Sequence, residues 1–361
     1  MKKVLVAMSG GVDSSVTAYL LKKQGYDCIG VTMRLYENET VGLQRENTCC
    51  SLDDVEDARS VCYRIGIPFY VFNFKDEFEE QVIRRFVCTY ESGSTPNPCI
   101  DCNRFMKFAL LYRRAQELGC DYIATGHYAQ IVYDEDRKRY LLKRGLDGKK
   151  DQSYVLYALT QEQLAATLFP LGGLTKEEVR TIAEENGFIN AKKADSQDIC
   201  FVPDGDYTAF LRRYTGNDYP EGDFVDLKGN VLGRHKGTVH YTIGQRKGLG
   251  VAAGEPLYVI GKDLEKNQVI LGKAGEGMIT SFVADELNMI KVPALDGPQK
   301  YMVSIRYHQT PQPALVTQLS ETEVRIELDS PQRGIAPGQA VVIYDGDDVV
   351  GGATIRKTDL I

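Results

Sequence analysis

Serine, glycine and aspartate residues crowd one short turn near the start of the chain, "AMSGGVDSSV" at residues 7–16. The turn follows an apolar run at residues 4–8, typical of a strand buried on both faces, and precedes a segment with helical spacing. Consecutive backbone N–H groups at such a turn, together with a helix start, favour binding of phosphate. Gly10 and Gly11 let the backbone approach closely, the serines add hydroxyl donors, and Asp13 could hold Mg²⁺ against the phosphates.

The turn differs from two familiar nucleotide-binding loops. A Walker A loop carries a lysine directly after its glycines, and this turn has none. Its spacing is not G-x-G-x-x-G, and no acidic residue ends the second predicted strand to bind a ribose. The simpler alternative is a glycine turn that only packs a helix on a sheet. The serines and the aspartate, placed directly after the first strand, favour phosphate binding.

Three cysteines lie in short motifs that suit sulfur chemistry. Cys99 and Cys102 form a C-x-x-C pair in "TPNPCIDCNRFMKF", and Cys200 lies in "ADSQDICF". The thiolate is the reactive form of cysteine, and nearby positive charge or a helix start lowers a thiol pKa. Cys102 comes just before a helix predicted at residues 104–118, which begins at Arg104 and carries Lys107, so we expect a reactive thiol there.

A structural zinc half-site is the alternative for a C-x-x-C pair. The sequence holds no second C-x-x-C, so a closed four-ligand site is not favoured. The remaining cysteines are expected to be core or incidental residues, and Cys49 and Cys50 are assigned no role. The chain has four histidines: His127, His235, His240 and His308.

The composition of the whole chain limits its partners. The 361 residues carry a net charge of −7, with 43% apolar and 26% charged residues, as in an ordinary globular protein. A generic polyanion binder is therefore excluded, and nucleic-acid contact needs local basic patches. The sequence has two such patches. The first comprises Arg137, Lys138, Arg139, Lys143, Arg144, Lys149 and Lys150, and the second comprises Arg234, Lys236, Arg246 and Lys247. Either patch alone is typical of a solvated face, but together they suit an RNA partner.

No segment predicts export or insertion into a membrane. Lys2 and Lys3 precede only a short apolar run, too short for a signal peptide, and no run reaches membrane-spanning length. Nine cysteines, an odd number, without a secretion signal argue against a disulfide framework. We therefore expect a cytoplasmic protein without a membrane partner.

Strands that alternate with helices predict a parallel α/β sheet in a first domain at residues 1–209. Ligands bind outside the carboxyl ends of such strands, where the glycine turn, Met33, Gly126 and His127 fall. The predicted strands are residues 4–8, 28–33, 69–74 and 122–125.

Helical periodicity fades beyond residue 210, and short alternating strands take over. Residues 257–260 and 269–271 predict one hairpin, and residues 341–344 and 349–355 flank "DGDD" in another. We predict a small central domain at 210–278 and a carboxyl-terminal β-barrel-like domain at 279–361.

The glycine turn resembles the pyrophosphatase loop of ATP-dependent adenylating enzymes, a group that includes GMP synthetase and argininosuccinate synthetase. Such enzymes cleave ATP between its α and β phosphates and leave AMP on a substrate oxygen. The whole chain resembles the bacterial tRNA-specific 2-thiouridylase family from residue 7 to about residue 309. The matching segments are "AMSGGVDSSV", "TPNPCIDCNRFMKF", "ATGHYA", "KKDQSYVLYAL", "DSQDICF", "HYTIGQRKGLGV" and "IRYHQ".

The resemblance implies a two-step reaction on the wobble uridine of tRNA, which would enter the site flipped out of its stack. ATP adenylates the oxygen on C2, and a persulfide on Cys200 delivers sulfur to that carbon. Cys102 then attacks the persulfide or the intermediate, and a transient disulfide between Cys102 and Cys200 releases 2-thiouridine. A cysteine desulfurase or a sulfur-relay protein would load Cys200.

The resemblance also implies individual binding residues. Asn97, Pro98 and Cys99 match the stretch that meets the target base. The residues matched to the ATP site are Ala7, Met8, Ser9, Gly10, Gly11, Val12, Asp13, Ser14, Met33 and Gly126. The residues matched to tRNA contact are His127, Lys150, Asp151, Gln152, Arg306, Tyr307 and Gln339.

Cys99 departs from relatives that carry aspartate at this position. The departure leaves a rival hypothesis, in which Cys99, Cys102 and Cys200 hold an iron–sulfur cluster. Two further alternatives are another adenylating synthetase, such as an amidating enzyme, and a nucleotide- or RNA-binding module without catalysis. An amidating enzyme usually needs a glutaminase domain, and the sequence shows no such domain.

Overall fold

The computed structural model describes residues 1–37, 52–195 and 199–360. Cys49 and Cys50, to which the sequence assigns no role, lie outside these ranges, as do residues 196–198 of the Cys200 motif. Within the described ranges, no helix combines the length and the apolar content that crossing a membrane requires.

The first part of the chain alternates strands and helices. Its elements are β1 (Lys3–Ala7), α1 (Val12–Lys23), β2 (Asp27–Arg34), α2 (Leu52–Ile65), β3 (Phe69–Asn73), α3 (Lys75–Phe78), α4 (Arg84–Glu91), α5 (Pro98–Asp101), α6 (Leu111–Glu117) and β4 (Tyr122–Ala124). Two π-helical segments, Glu79–Ile83 and Cys102–Leu110, join α3 to α4 and α5 to α6 without a break.

Three short strands and several helices follow β4. They are β5 (Ala129–Asp134), β6 (Arg139–Arg144), a 3₁₀ turn (Ser153–Leu156), α7 (Gln161–Ala165), β7 (Thr167–Leu168), α8 (Lys176–Glu185) and α9 (Tyr207–Thr215). Reciprocal capping boxes start α7 and α8, with Thr160 paired to Gln163 and Thr175 paired to Glu178.

The first sheet is parallel throughout, in the order β3-β2-β1-β4-β7. The central run of β1 is fully buried, as the unbroken apolar pattern predicts. From β1 the chain proceeds to β2 and β3 on one side, and later places β4 on the other side. The carboxyl ends of β1 and β4 therefore flank a topological switch point, where open α/β sheets bind ligands.

The second part of the chain is almost entirely β-structure. Its strands are β8 (Gly222–Val225), β9 (Val231–His235), β10 (Tyr258–Asp263), β11 (Gln268–Gly272), β12 (Met278–Met289), β13 (Gln299–Ser304), β14 (Gln312–Gln318), β15 (Val324–Arg333), β16 (Ala340–Asp345) and β17 (Asp348–Leu360), with a 3₁₀ turn at Thr238–His240. Strands β10-β11-β8-β9 form a small sheet. Strands β12-β15-β14-β13-β16-β17 close into a six-stranded barrel, because β12 also pairs with β17.

The predicted fold class is confirmed, and both predicted hairpins exist as β10–β11 and β16–β17. The domain boundaries at 210 and 279 stay predictions. One feature was not predicted: the β5–β6 hairpin joins the barrel sheet, with Lys143 of β6 opposite Asp348 of β17. Residues 129–144 therefore tie the first part of the chain to the barrel.

Candidate functional site

The glycine turn is fixed by its own side chains. Gly10 has φ +76°, and a Cβ there would lie 2.4 Å from the carbonyl oxygen of Asp54, so only glycine fits. The Ser14 hydroxyl donates to the Gly11 carbonyl at 3.0 Å and accepts from the Ser9 N–H at 3.2 Å. Asn190 donates its amide to the Gly10 carbonyl at 2.9 Å.

The backbone of the turn offers donors to an anion. The N–H groups of Gly10 and Gly11 have no acceptor among the described residues. They lie at the start of α1, where the helix dipole favours negative charge. The side chains of Met8 and Val12 are buried beneath the turn and support it. The hydroxyls of Ser14 and Ser15 were expected to face phosphate, but here they donate to the Gly11 carbonyl.

Asp13, in the first turn of α1, is held by two neighbours. Its carboxylate accepts from Lys176 Nζ at 2.7 and 2.9 Å and from the Tyr128 hydroxyl at 2.8 Å. Lys176 is a buried residue at the start of α8. These donors use three of about four acceptor positions of the carboxylate, and the Asp13 side chain is still 31% exposed, so its role as a Mg²⁺ ligand stays a prediction. Gly126 packs against the same turn, and a Cβ there would lie 2.9 Å from the Asp13 backbone.

Lys176 also forms an ion pair with Asp195, which contacts three cationic side chains. Asp195 lies 2.7 Å from Lys176 Nζ, 2.7 Å from Lys150 Nζ and 3.2 Å from Arg180 Nη2. Burial alone would raise the pKa of Asp195, but hydrogen bonds from Lys150 and Lys176 bring it below its ordinary value. The network links the glycine turn to the "KDQ" segment and to the chain that leads to Cys200.

The Cys99–Cys102 turn differs from the prediction that Cys102 precedes a helix start and has a lowered pKa. The helix starts at Pro98, with Asn97 at its N-cap position, so Cys102 lies one turn inside a continuous helix rather than at its start. Burial raises the pKa of the Cys102 thiol to about 11, and the nearby Lys107 only partly opposes this effect. The expectation of a lowered thiol pKa is therefore wrong for this conformation. Cys99 is more exposed, yet desolvation by the surrounding protein also raises its pKa, and Lys107 opposes this effect.

A chain of contacts connects the cysteine turn to the glycine turn. Lys107, on the helix of Cys102, lies 3.4 Å from His127 Nε2, and His127 follows Gly126 at the end of β4. His127 is buried between Phe108 and Phe169. Burial, reinforced by Lys107, keeps the pKa of His127 well below its ordinary value, so the ring is neutral. His127 is thus an internal residue of this structure.

Cys200 lies beyond the carboxyl end of β2. The Tyr36 hydroxyl donates to the Cys200 carbonyl at 2.7 Å. The half-buried side chains of Cys200, Cys102, Met33 and Ala7 pack against the same hydrophobic cluster. Cys99, Cys102 and Cys200 do not gather into a metal site, because no group of three or more suitable ligands occurs among the described residues. The arrangement therefore does not fit an iron–sulfur cluster.

The "KDQ" segment divides into one outward and two inward residues. The Lys150 side chain is 39% exposed, although its ammonium group contacts Asp195. Asp151 accepts from the N–H groups of Gly145 and Ser153 at 3.1 and 3.0 Å. Gln152 accepts from the Tyr128 N–H at 3.0 Å. Asp151 and Gln152 therefore shape the segment from within.

The three predicted tRNA contacts from the barrel side also make internal contacts. The Arg306 guanidinium donates to the Gly334 carbonyl and packs against the backbone of Gly244. Tyr307 stands 5.8 Å from the ring of Tyr154, and burial raises its pKa to about 12. Gln339 donates to the carbonyls of Thr95 and Pro96 at 3.1 and 3.2 Å.

Sequence reasoning missed three residues of this site. They are Lys176, Asp195 and Asn190, which hold Asp13, Lys150 and Gly10 respectively. Only Lys176 carried a local signal, because it follows the N-cap of the capping box "TKEE". Their partners are distant in sequence, so no local pattern marks the contacts.

Three family models match successive parts of the chain. The model described as "tRNA methyl transferase HUP domain" matches residues 2–204. The model described as "tRNA methyl transferase PRC-barrel domain" matches residues 208–273, and the "Aminomethyltransferase beta-barrel domain" matches residues 279–355. A solved 4-thiouridine synthetase–RNA complex with bound ATP aligns over 60% of this chain and 50% of its own, with 17% identity and a TM-score of 0.34.

Curated relatives match over almost the full length of both chains. The tRNA-specific 2-thiouridylase MnmA of Clostridioides difficile is 51% identical over 99% of this chain and 99% of its own. The protein of the same name from Acetivibrio thermocellus is 51% identical over 98% of this chain and 99% of its own. That from Desulforamulus reducens is 52% identical over 99% and 98%. With half of its residues identical over nearly its whole length, this chain belongs to the MnmA family of tRNA-specific 2-thiouridylases.

Proposed function

We propose that this protein is a tRNA-uridine 2-sulfurtransferase that uses ATP to activate C2 of the wobble uridine. One observation carries the proposal: a chain of contacts through Gly126, His127 and Lys107 links the phosphate-binding turn to the helix that carries Cys102. Gly126 touches the start of α1, and His127 next to it touches Lys107 on the helix of Cys102. An activating group and a thiol can therefore serve one reacting atom.

The activation step uses the glycine turn. The N–H groups of Gly10 and Gly11 and the start of α1 hold the ATP phosphates. Met33 packs on the adenine and Gly126 closes over the nucleotide. The C2 oxygen of uridine attacks the α-phosphorus, the bond to the β-phosphate oxygen breaks, and pyrophosphate leaves. The oxygen on C2 then departs readily as part of AMP.

The sulfur step uses Cys200 and Cys102. The terminal sulfur of a Cys200 persulfide forms a bond to C2 of the adenylated uridine. The Cys102 thiolate then attacks the Cys200 sulfur and breaks the S–S bond, so that the electron pair returns to the sulfur on C2 and AMP is expelled. A Cys102–Cys200 disulfide remains, and an external dithiol reduces it before the next turnover.

Cys102 and Cys200 are both half-buried, so neither is closed off within the core. Asn97, Pro98 and Cys99 would face the extruded base, and Cys99 is exposed as such a contact requires. A cysteine desulfurase or a relay protein supplies the persulfide sulfur. Base extrusion leaves the target atom accessible, as other base-modifying enzymes require.

Two of the matching family models are described by methyl transfer, whereas the full-length relatives are named for thiolation. The chain's own residues favour sulfur chemistry, because the matching motifs contain Cys102 and Cys200. The two activities leave different products. Thiolation replaces an oxygen of uridine by sulfur, and methylation adds a methyl group.

The test uses purified protein, ATP, Mg²⁺, unmodified tRNA and a persulfide donor, followed by mass analysis of the nucleosides. We expect 2-thiouridine at the wobble position, and its loss in Cys102→Ser and in Cys200→Ser. Cys88→Ser is the matched control, because Cys88 is an exposed thiol outside the motifs. Full thiolation by Cys200→Ser would refute the sulfur-carrier role. Pyrophosphate release without thiolation would indicate another adenylating synthetase, and tRNA binding with neither signal would indicate a binding module.

A further inference from the structure

The turn between β15 and β16 of the barrel holds the loop that leads into the cysteine turn. Gln339 Nε2 donates to the carbonyls of Thr95 and Pro96 at 3.1 and 3.2 Å. In the opposite direction, the Thr95 N–H donates to the Pro337 carbonyl at 2.8 Å. Three hydrogen bonds therefore connect the barrel to the two residues that precede Asn97 and Pro98.

The fit between the two segments is close. Gly338 has φ +87°, and a Cβ there would lie 2.9 Å from the Thr95 carbonyl oxygen and 3.0 Å from Thr89 Cγ2. A side chain at this position would be strained by the backbone conformation and would also push the loop away. The turn is thus shaped to seat on the loop.

Gln339 itself is fixed to the wall of the barrel. The Ile355 N–H donates to the Gln339 carbonyl at 2.7 Å, and the Gly338 N–H donates to the Ile355 carbonyl at 2.8 Å. Ile355 belongs to β17, which pairs with β12 and β16 and closes the barrel. Strand β17, the most extensively paired strand of the barrel, therefore fixes Gln339, and Gln339 in turn fixes the position of the loop at residues 95–97.

A second barrel contact lies at the other end of the cysteine turn. Glu286 of β12 accepts from Arg104 Nη1 at 3.0 Å, two residues after Cys102. Glu286 has φ +53° at an irregular point of its strand, a backbone conformation that few non-glycine residues adopt. Arg85, which lies 3.8 Å from Glu286, also lies 3.4 Å from Asp101. The barrel therefore braces the turn before Cys99 and after Cys102.

The chemistry of the Gln339 amide limits what else it can bind. Carbonyl oxygens only accept hydrogen bonds, so the amide nitrogen must face Thr95 and Pro96 and both of its N–H donors are used. Only its oxygen remains, which cannot bond to a phosphate because phosphate oxygens also accept. A contact of this side chain with a phosphate group of RNA would therefore require the contacts with the loop to break, whereas its oxygen can still accept from a ribose hydroxyl or a base N–H group.

We propose that Gln339 is a positioning residue, which fixes the Cys99–Cys102 turn against the barrel and contributes to thiolation through that turn. This inference rests on the proposed sulfur-transfer function. Small displacements of a catalytic group can reduce rates by about two orders of magnitude. Loss of the hydrogen bonds from Gln339 to Thr95 and Pro96, which we call the clamp, is therefore expected to lower the reaction rate and to leave tRNA affinity unchanged.

The test compares Gln339→Met with the wild-type protein in two assays. One measures the Kd for unmodified tRNA, and the other measures the single-turnover rate of 2-thiouridine formation at saturating tRNA. We expect a Kd within about twofold of wild type and a rate reduced at least about tenfold. Gln318→Met is the matched control, since Gln318 is a barrel glutamine that bonds only to backbone atoms of the barrel side, Leu295 and Ser320. Its rate and Kd are expected to stay at the wild-type values.

Two results would overturn the proposal: a Kd weakened about tenfold or more with Gln339→Met, or an unchanged rate at saturating tRNA. Gln339→Asn, which keeps the amide but shortens its reach, serves if the methionine variant does not fold. Amide hydrogen exchange separates this proposal from the function itself. Gln339→Met should speed exchange at Thr95 even if the wild-type protein forms no 2-thiouridine, and unchanged exchange there would also refute the clamp.

Discussion

The Cys102 thiol is expected to ionise about two pH units later than an unperturbed cysteine. Burial raises its pKa from the ordinary 9.0 to about 11, because the low-polarity surroundings disfavour the thiolate and Lys107 compensates only in part. At pH 8 the thiolate fraction then falls about 100-fold. A more basic thiolate is also more nucleophilic, which raises its own rate constant about tenfold. The two effects together should make alkylation at pH 8 about tenfold slower than in the unfolded chain.

The assay is the rate of Cys102 alkylation by iodoacetamide from pH 6 to pH 11, resolved from Cys99 by fragment-ion mass spectrometry. Limited access would lower the whole profile equally, whereas a raised pKa moves the pH at which the rate levels off. We expect a rising profile through pH 10 in the native protein and levelling near pH 9 in urea. Lys107→Met should move the native profile to still higher pH. A native rate that levels near pH 7 would refute this account of the burial.

Three further predictions concern stability, each measured by urea unfolding. Burial raises the pKa of Asp101 from 3.8 to about 6, so the native protein keeps a proton that the unfolded chain loses. The free energy of unfolding should therefore fall by about 3 kcal/mol between pH 4 and pH 7. Asp101→Asn should remove this pH dependence, and an equal dependence in both proteins would contradict the prediction. Gly10→Ala should cost about 2–5 kcal/mol, from a left-handed backbone and from overlap with Asp54, and a cost below about 1 kcal/mol would show that the turn adapts. Lys176→Met should cost about 3 kcal/mol at pH 7, because it leaves Asp13 and Asp195 without their shared cation, and the exposed Lys192→Met is its control. Since the pKa of Asp195 is lowered, its share of that cost should vanish as the pH falls below 3.8, and a cost that persists there would argue against the ion pairs.

Local patterns predicted the parts of the fold that local physics controls. The buried run of β1, the glycine turn after it and the hairpins β10–β11 and β16–β17 each carry a signal within about ten residues. The start of the cysteine helix was placed six residues late, at Arg104 instead of Pro98. Proline at the first helical position is itself a start signal, and the prediction treated it as part of the loop.

Contacts between distant segments were not predictable in this way. The β5–β6 hairpin pairs with β17, which lies about 200 residues later, and the sequence of the hairpin does not predict which sheet it joins. The same holds for Lys176, which lies 163 residues from Asp13. An ion pair of this kind depends on where the fold places two side chains, and the sequence around either residue does not show that they will meet.

Four residues that match positions of tRNA contact also make contacts within this protein. Asp151, Gln152, Arg306 and Gln339 each hydrogen-bond to backbone atoms. The two amide donors of Gln339 are used in this way, so exchanging them for RNA would leave the carbonyls of the loop without partners. Gln152 differs, because its oxygen accepts from the protein while its amide nitrogen has no acceptor among the described residues. The partly exposed Lys150 is the cation of the same segment. On this reasoning, alanine at Lys150 should reduce the salt dependence of tRNA binding, whereas alanine at Gln152 should change the fold of the segment and leave that dependence intact.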